Sequence, residues 1–425
     1  MDITYDKNSN DTHLYYNIDI FNNEAIDQDN NPTLAYSDTR DTAILDNISD
    51  WYFSIIRFQL KGVGMLLPIF MPEIEVGQTD INKTIYKISI CYNYKYNNNN
   101  YTPIVVSKNI SFVPQNKNAV LPQAPISKMD KSTNYYFVHN YDHCCKMVNN
   151  TFKEIIEELQ TQIRTATGNN SLIFIFKEPK IIYDVNSGLF NLYLDNRIYN
   201  RKTSPFGDTT NNNIDIRASI YFNSNMWGLF GNFHYNKVGN DIENVIEYYQ
   251  DNTFTDAFKG TITNTNGVNY EIMPQDKLGT NIYTYNGISY YKMIQNFEST
   301  SELWNPISSI VFTTSILPSI GELAGNPIVF NDGKAPQQTN NNITEKIITD
   351  MTIPMSSAED YSGCITYYPS NEYRLVDFFP ANYSLRNLDI QGKVKFKDGS
   401  LYPLKMFNGG SANIKIMFRK KSFNN

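Results

Sequence analysis

The sequence predicts an all-β protein of the sandwich or jelly-roll type. The 425 residues include 31 Tyr and 25 Phe, and aromatic residues favour strands. Asn is overused along the chain, and Asn favours the turns and loops between strands. Pattern alone indicates about ten or more short strands against one solid helix. Strands of this kind and spacing favour a sandwich or jelly roll over a barrel or an α/β enzyme.

The first half of the chain contains contrasting segments. Residues 1–49 are polar without lasting periodicity, which predicts an extended N-terminal arm. WYFSIIRFQL at 51–60 is apolar on both parities, as expected of a central sandwich strand. TIYKISICYNYKY at 84–96 alternates and predicts a half-buried strand.

One amphipathic helix is predicted over residues 145–168. Its apolar stripe recurs at three- and four-residue steps and consists of Val148, Phe152, Ile155, Ile156, Leu159 and Ile163. Gly168 is a suitable C-terminal stop. The segment KIIYDVNSGLFNLYLD at 180–195 follows and predicts a hairpin.

The C-terminal end predicts an antiparallel meander with one buried face. LDIQGKVKF at 388–396 alternates and leads to the turn pair Asp398-Gly399. LYPLKMF follows and runs into a second turn at NGGS, after which ANIKIMFRKK at 412–421 alternates again. Asp389 and Met417 are expected to point outward. The residues expected to point inward are Leu388, Ile390, Val394, Phe396, Ala412, Ile414, Ile416 and Phe418.

Charge and cysteine content narrow the function classes. A net charge of −7 gives no general attraction to nucleic acid. Four cysteines without a disulfide spacing favour a reducing compartment. The N-terminus lacks the features of a signal peptide. The longest apolar run, at 62–72, is too short to cross a membrane.

The sequence contains no clear catalytic motif. His139, His143, Cys144 and Cys145 lie close together, but zinc sites usually need a second ligand pair, and none follows. A helix start with half-buried thiols is the favoured interpretation. A pair of glycosidase carboxylates stays open, although Glu298, Glu302 and Glu322 are better explained as solvated loop residues. We therefore predict no catalytic residue, no metal and no cofactor.

Several phrases of the sequence resemble one protein family. They are WYFSIIRFQL with LPIFMPEIEVGQTDINKTIY, SIYFNSNMWGLFGNF, ELWNPISSIVFTTSILPSIGE with PIVFN and IITDM, NEYRLVDFF, and SANIKIMFRKKSF. In this order they resemble the minor capsid, or penton, proteins of virophages and polinton-like viruses. The resemblance covers most of residues 51–425 discontinuously.

The resemblance implies a fold and a function. Penton proteins of this group have a jelly-roll domain, often with an inserted β domain, and they have no enzymatic activity or cofactor. We therefore expect a discontinuous jelly-roll core at 51–222 and 301–425 and an inserted β-rich region at 223–300. Five copies are expected to form the plug at each vertex of a double-stranded DNA virus capsid, among trimers of a double jelly-roll major capsid protein. The expected location is the virion, after synthesis in the host cytoplasm or virus factory.

The resemblance also suggests residues for contacts. The stretch 301–327 would hold the first strand after the insertion, with the exit loop as a subunit contact. The candidate interface residues are Trp304, Pro306, Pro318, Glu322 and Pro327. The basic end formed by Arg419, Lys420 and Lys421 is expected to face the genome, without recognising a nucleic-acid sequence.

Two other functions stay open. The first is a receptor- or carbohydrate-binding viral spike, which exposed aromatics in 223–296 would support; a fibre, receptor or host glycan would then be a partner. The second is a β-sandwich glycoside hydrolase, which needs a catalytic carboxylate that the sequence does not single out.

Overall fold

The computed structural model describes part of the chain, in two compact units. Unit 1 comprises Met1–Ile69, Asn305–Met355 and Glu359–Asn425, and unit 2 comprises Phe70–Trp304 and Ser356–Ala358. The described residues are 13–23, 32–61, 67–75, 78, 80–94, 102–114, 135–171, 173–174, 176–199, 218–238, 245–247, 261–263, 269–272, 282–297, 304–319, 322–323, 328–329, 337–338, 344–353, 364–368, 374–379, 382–406 and 408–421.

The elements run through unit 1, then unit 2, then unit 1 again. Unit 1 begins with β1 (His13–Phe21), β2 (Ala35–Thr39) and β3 (Trp51–Lys61). Unit 2 contains β4 (Lys87–Tyr94), β5 (Thr102–Asn109), α1 (Tyr141–Thr167), β6 (Lys180–Asp184), β7 (Leu189–Asp195), α2 (Asn196–Tyr199), β8 (Ala218–Asn223), α3 (Ser224–Phe230), β9 (Tyr235–Val238), β10 (Val245–Glu247), β11 (Thr261–Thr263), β12 (Asn269–Ile272), β13 (Ile282–Tyr285) and β14 (Ile288–Ile294). Unit 1 resumes with β15 (Ile307–Thr314), β16 (Glu322–Leu323), β17 (Ile328–Val329), β18 (Gln337–Gln338), β19 (Thr344–Met351), β20 (Ile365–Tyr367), β21 (Val376–Asp377), β22 (Asn387–Phe396), β23 (Leu401–Pro403) and β24 (Ser411–Lys420).

Unit 1 is a jelly roll. One sheet has the order β1-β24-β3-β20 and the other has β16-β19-β15-β22-β2. If β1, β2, β3, β15, β19, β20, β22 and β24 are lettered B to I in chain order, the two sheets read B-I-D-G and C-H-E-F, with β16 added beside F. These are the strand orders of an eight-stranded jelly roll. The predicted fold class is confirmed.

The core of unit 1 lies between the two sheets. The inward residues predicted for β22 and β24 are all buried. Phe58 on β3 meets Phe312 on β15 edge-to-face, with ring centroids 4.8 Å apart. A close approach occurs at Gly392 on β22, where an added Cβ would lie 2.6 Å from Leu34 Cδ2. Only glycine fits there without a shift of Leu34.

The structure corrects two expectations for unit 1. Residues 13–21 and 35–39 of the expected N-terminal arm are strands, and β1 buries Tyr16 and Ile18 while its alternate residues are exposed. Of the expected C-terminal meander, β22 and β23 pair as a hairpin, but β24 pairs with β1 and β3 in the other sheet. A register shift between Lys415 and Ile416 accompanies the burial of Met417, which was expected to point outward. Periodicity identifies a strand's inner face, but either sheet of a sandwich can use that face.

Unit 2 contains two larger sheets and the predicted helix. The sheet orders are β5-β4-β8-β12-β9 and β13-β14-β7-β6. Helix α1 begins four residues before the predicted start, because the side chain of Asn140 accepts a hydrogen bond from His143 N at 2.8 Å and caps it. It ends at Gly168 with φ 66°, as predicted. The hairpin predicted at 180–195 is formed by β6 and β7.

The division into units differs from the expected one. The structure places the insertion between β3 and β15, so that residues 70–222 belong with unit 2 rather than with the core. The reason is strand pairing: β4 pairs with β8, and β7 pairs with β14. Alternating strands look alike in both units, so the sequence pattern does not reveal which strands pair.

Candidate subunit contact surface

The loop that leaves β15 is held by a buried carboxylate. Asp389 on β22 is buried and accepts hydrogen bonds from Thr314 Oγ1, from Ser315 N and Oγ at 2.7 Å each, and from Ile316 N at 3.0 Å. Burial alone would raise the pKa of Asp389, but these donors outweigh it and hold the pKa below its usual value. The carboxylate therefore fixes the start of the loop while it is ionised.

Two exposed apolar side chains lie on this loop and the segment joined to it. Ile316 and Phe379 are 47% and 48% exposed. Their segments meet where Ser319 bridges Phe378 and where Phe379 N donates to the carbonyl of Pro318 at 2.8 Å. We call Ile316, Pro318 and Phe379 the contact surface. A cluster of exposed apolar side chains is a candidate protein interface.

The contact surface lies at the end of the jelly roll where β3 begins. β21, which ends two residues before Phe379, pairs with Tyr52 and Phe53. The basic end of β24 lies there too, because Lys420 pairs with Trp51. The described start of the predicted interface loop and the predicted genome-side residues thus occupy the same end of unit 1.

The three basic residues have different surroundings. Lys421 Nζ lies 2.5 Å from Asp377 Oδ1 and 5.0 Å from the ring centroid of Tyr52. Lys420 is exposed and Arg419 is half-buried. The ion pair offsets one of the three positive charges, and a genome-facing role stays a prediction.

Trp304 and Pro306 are not surface residues. Trp304 is 4% exposed and donates from Nε1 to Leu229 O at 2.6 Å. Its ring stacks on Phe190 and meets Phe230 edge-to-face at centroid distances of 5.3 Å and 5.0 Å. Pro306 is buried and accepts from Lys397 N at 2.9 Å. Their burial contradicts the idea that they are open for contact. A Trp-x-Pro motif in the sequence does not reveal whether its side chains lie in a core or at an interface.

The remaining interface candidates stay predictions. Glu322 begins β16, where it pairs with Glu345, and its side chain is outside the described part of the chain. Pro327 lies outside the described residues, as do Glu298 and Glu302.

The histidine and cysteine cluster forms part of the core at the start of α1. His143 Nε2 lies 2.5 Å from Val113 O, and Cys144 and Cys145 are buried free thiols. Burial lowers the pKa of His143 and raises that of Cys145 to about 12. Among the described residues, no three His, Cys, Asp or Glu side chains are grouped to hold a metal ion.

Sequence reasoning missed three residues of this region. Asp389 was assigned to the outer face by its parity, and Ile316 and Phe379 were not singled out. A signal existed in Thr314-Ser315, since two adjacent hydroxyls after a strand can satisfy a carboxylate. The sequence contains no indication that the carboxylate is 74 residues away.

No helix in the described ranges is long and apolar enough to span a membrane.

The comparisons with known proteins identify the family. The family model for the Sputnik minor capsid protein V18/19 matches residues 14–420. The chain belongs to this family. It is 26% identical over 124 residues to the uncharacterized protein V18 of Sputnik virophage, which covers 28% of this chain and 69% of V18.

Two solved structures share the fold. A chain in the 3.5 Å cryo-EM structure of the Sputnik virophage matches with a TM-score of 0.67 and 20% identity, over 97% of this chain and 99% of that one. The mavirus penton protein matches with a TM-score of 0.56 and 15% identity, over 96% and 99%.

Family membership confirms the predicted class of function. The chain is a minor capsid protein, a structural component of the virion capsid. The matched family and the structural neighbours are capsid proteins rather than enzymes.

Proposed function

We propose that five copies of this chain form the capsomer at the fivefold vertices of the capsid. The observation that carries this proposal is the complete B-I-D-G and C-H-E-F jelly roll of unit 1 with one long insertion between β3 and β15. The mavirus penton protein shares the fold of this chain over 96% of its length. Unit 1 would build the ring, and unit 2 would be carried as the insertion.

The contact surface supplies one side of the subunit contact. A ring needs head-to-tail contacts in which one patch meets a different patch on the neighbour. Ile316 and Phe379 would enter the neighbour, and the Asp389 hydrogen bonds reduce the conformational freedom lost on binding. Pro318 belongs to this contact, while Glu322 and Pro327 remain further candidates.

The proposed partners follow from this position. The pentamer would fit among trimers of a double jelly-roll major capsid protein, with the basic end formed by Arg419, Lys420 and Lys421 toward the genome. A fibre, receptor or host glycan would be reached from outside. The proposal includes no catalytic step and no cofactor, and it places synthesis in the host cytoplasm or virus factory.

Mass photometry of the full chain tests the pentamer. The expected particle has five times the 49.0 kDa chain mass and forms a fivefold ring in negative-stain images. Phe379→Asp is expected to abolish it, since a carboxylate in an apolar contact is left without a partner.

Phe21→Asp is the matched control. Phe21 is 63% exposed and pairs with Ser411, which pairs in turn with Lys61 at the far end of β3 from the contact surface. It is expected to leave the ring intact. A trimer, or a chain that stays monomeric at all concentrations, would contradict the pentamer. Equal loss in both variants would contradict the assigned surface.

A further inference from the structure

The outer face of one sheet in unit 2 is lined with tyrosine. In the register of the β13-β14-β7-β6 sheet, Tyr283 pairs with Tyr290, Tyr285 with Ile288, and Tyr193 with both Lys292 and Lys180. Side chains of paired residues project from the same face. The alternate residues Ile181, Leu192, Leu194 and Met293 are buried on the inner face. The tyrosines are therefore not needed to fill the core.

This outer face is the floor of a groove of about 710 Å³. Its walls include Asn149, Asn150 and Lys153 from α1 and the segment 177–180. The volume lies within the range of small-ligand sites, roughly 300–1,000 Å³. The floor and both walls belong to unit 2, so the groove is complete within one unit.

The tyrosine rings are accessible and held in place. Tyr283 and Tyr285 are 47% and 58% exposed. Tyr283 meets Tyr193 edge-to-face at a centroid distance of 5.6 Å. The hairpin turns at Asn286-Gly287, with φ values of 50° and 75°, the signature of a tight type I′ turn. Burial raises the pKa of Tyr193 and Tyr290 further above neutral. Like ordinary tyrosines, both keep a protonated hydroxyl at neutral pH and can donate hydrogen bonds.

The charge of the groove differs from that of the chain. Lys153, Lys177 and Lys180 line it, and the lining residues include a single carboxylate, Glu178. Beside the groove, Lys292 Nζ lies 5.9 Å from the Tyr193 ring centroid, and the nearby Asp184 carboxylate offsets its charge. Lys153 is also 3.8 Å from Glu157 on α1, and both of those side chains are largely exposed. The chain has a net charge of −7, so this local excess of lysine favours a negatively charged ligand.

We propose that this groove binds an acidic oligosaccharide, one that carries carboxylate or sulfate groups. Tyrosine rings present flat apolar faces and a polar edge, which suit the C–H face and the hydroxyls of a sugar ring. The Asn150 and Asn286 amides supply donors and acceptors for further hydroxyls. The lysines pair with the acidic groups. A capsid protein with such a groove would attach to anionic glycans through unit 2.

An array of oligosaccharides tests the proposal on the full chain. Sugars that carry sialic acid, uronic acid or sulfate are compared with neutral counterparts of the same backbone. We expect the acidic members to bind more tightly than the neutral ones and the affinity to fall as salt is raised. The carboxylate and sulfate sets separate the two sources of negative charge.

Two double variants locate the site. Tyr283→Ala with Tyr285→Ala is expected to weaken binding about tenfold or more through lost stacking. Lys177→Glu with Lys180→Glu is expected to abolish the preference for acidic sugars. Tyr368→Ala is the control, because Tyr368 is an exposed tyrosine of unit 1 and its loss should leave binding unchanged.

The outcomes separate this proposal from the pentamer. Thermal melting and mass photometry of the same variants are expected to match the wild type, since all four substituted side chains are exposed. Binding that survives both double variants overturns the groove as the site. Equal binding of acidic and neutral sugars, no binding across the array, or capture of a capsid protein by the groove overturns the assigned ligand.

Discussion

Two sheets of this protein differ in their outer faces. On β1, β24 and β3 in unit 1, the centre of the outer face is a polar network, with exposed Tyr15 and Phe21 on either side of it along β1. Arg57 donates to Asn413 Oδ1 from Nε at 3.1 Å and to Asn17 Oδ1 from Nη2 at 3.2 Å, and Asn17 donates to Asp19 at 2.8 Å. On β13, β14 and β7 in unit 2, the outer face is built from tyrosines.

The difference between the two outer faces separates what the fold requires from what a function would add. Both sheets bury alternate apolar residues, as the fold requires. The polar network of unit 1 is the ordinary arrangement for a sheet face next to water, because its polar side chains hydrogen-bond to one another. The tyrosines of unit 2 do not follow that arrangement, and they form the floor of the groove. A sheet whose outer face repeats an aromatic residue is a candidate for binding.

The largest expected effect concerns the inner faces, where the two sheets should be alike. Phe58→Ala in unit 1 is expected to lower the free energy of unfolding by about 3–5 kcal/mol, and Leu192→Ala in unit 2 by about 2–5 kcal/mol. Both side chains are fully buried. Chemical denaturation of each variant checks this, with the exposed Phe21→Ala as the control. A cost below about 1 kcal/mol for either core variant would break the equivalence of the two inner faces.

The next effect concerns Asp389, a carboxylate on a strand parity that should face water. Asp389→Asn is expected to lower the free energy of unfolding by about 2 kcal/mol at neutral pH, because an amide nitrogen cannot accept the Ser315 and Ile316 donors. Thermal melting measures the loss. Asp46→Asn is the control, because Asp46 is exposed. A variant that melts like the wild type would mean that the loop needs no anchor.

The pH dependence of Asp389 follows from the lowered pKa of its carboxyl group. A group whose pKa is lower in the folded state than in the unfolded state stabilises the fold above its unfolded pKa. That contribution is lost as pH falls from about 4 through the folded pKa. Melting curves at falling pH should therefore bring the wild type and Asp389→Asn together in acid. A gap that stays constant down to the acid limit would contradict the ionised anchor.

The smallest effects compare the two outer faces directly. Arg57→Ala is expected to cost about 1 kcal/mol, since it removes hydrogen bonds from the half-buried network. Tyr285→Ala, at a more exposed position, is expected to change the free energy of unfolding by less than about 0.5 kcal/mol. Denaturant titrations of both variants show whether each outer face contributes to stability. If Tyr285→Ala proves the more costly, the tyrosine face serves stability rather than binding.

Much of the local structure was predictable from particular residues. The stripe from Val148 to Ile163 predicted α1, and Gly168 predicted its end. The alternation in β22 and β24 predicted their inner faces. Strand β1 also alternates, at Leu14, Tyr16, Ile18 and Ile20, but this short run lies within a polar segment that we interpreted as an arm. These signals are local, because they depend on 3.6- and 2-residue periods.

The candidate site was predictable only in part. In the exit loop after β15, Pro318 is half-buried and its subunit contact stays a prediction, whereas Trp304 and Pro306 are buried in the same short stretch. Phe379 had no signal, because its exposure depends on the bridge between Ser319 and Phe378. The residue type of a hydrophobic loop residue does not reveal whether its side chain faces the core or a partner.

The sequence by itself determined the all-β class, the helix α1, the turns, and which side of most strands is apolar. Only the tertiary structure decided that β24 leaves β22 for the other sheet, that residues 70–222 belong to unit 2, and that Asp389 closes on a loop 74 residues away. The physical reason is the sequence distance over which each feature is determined. A strand's period is set by its own residues, but its partner is chosen by pairing and burial among distant segments.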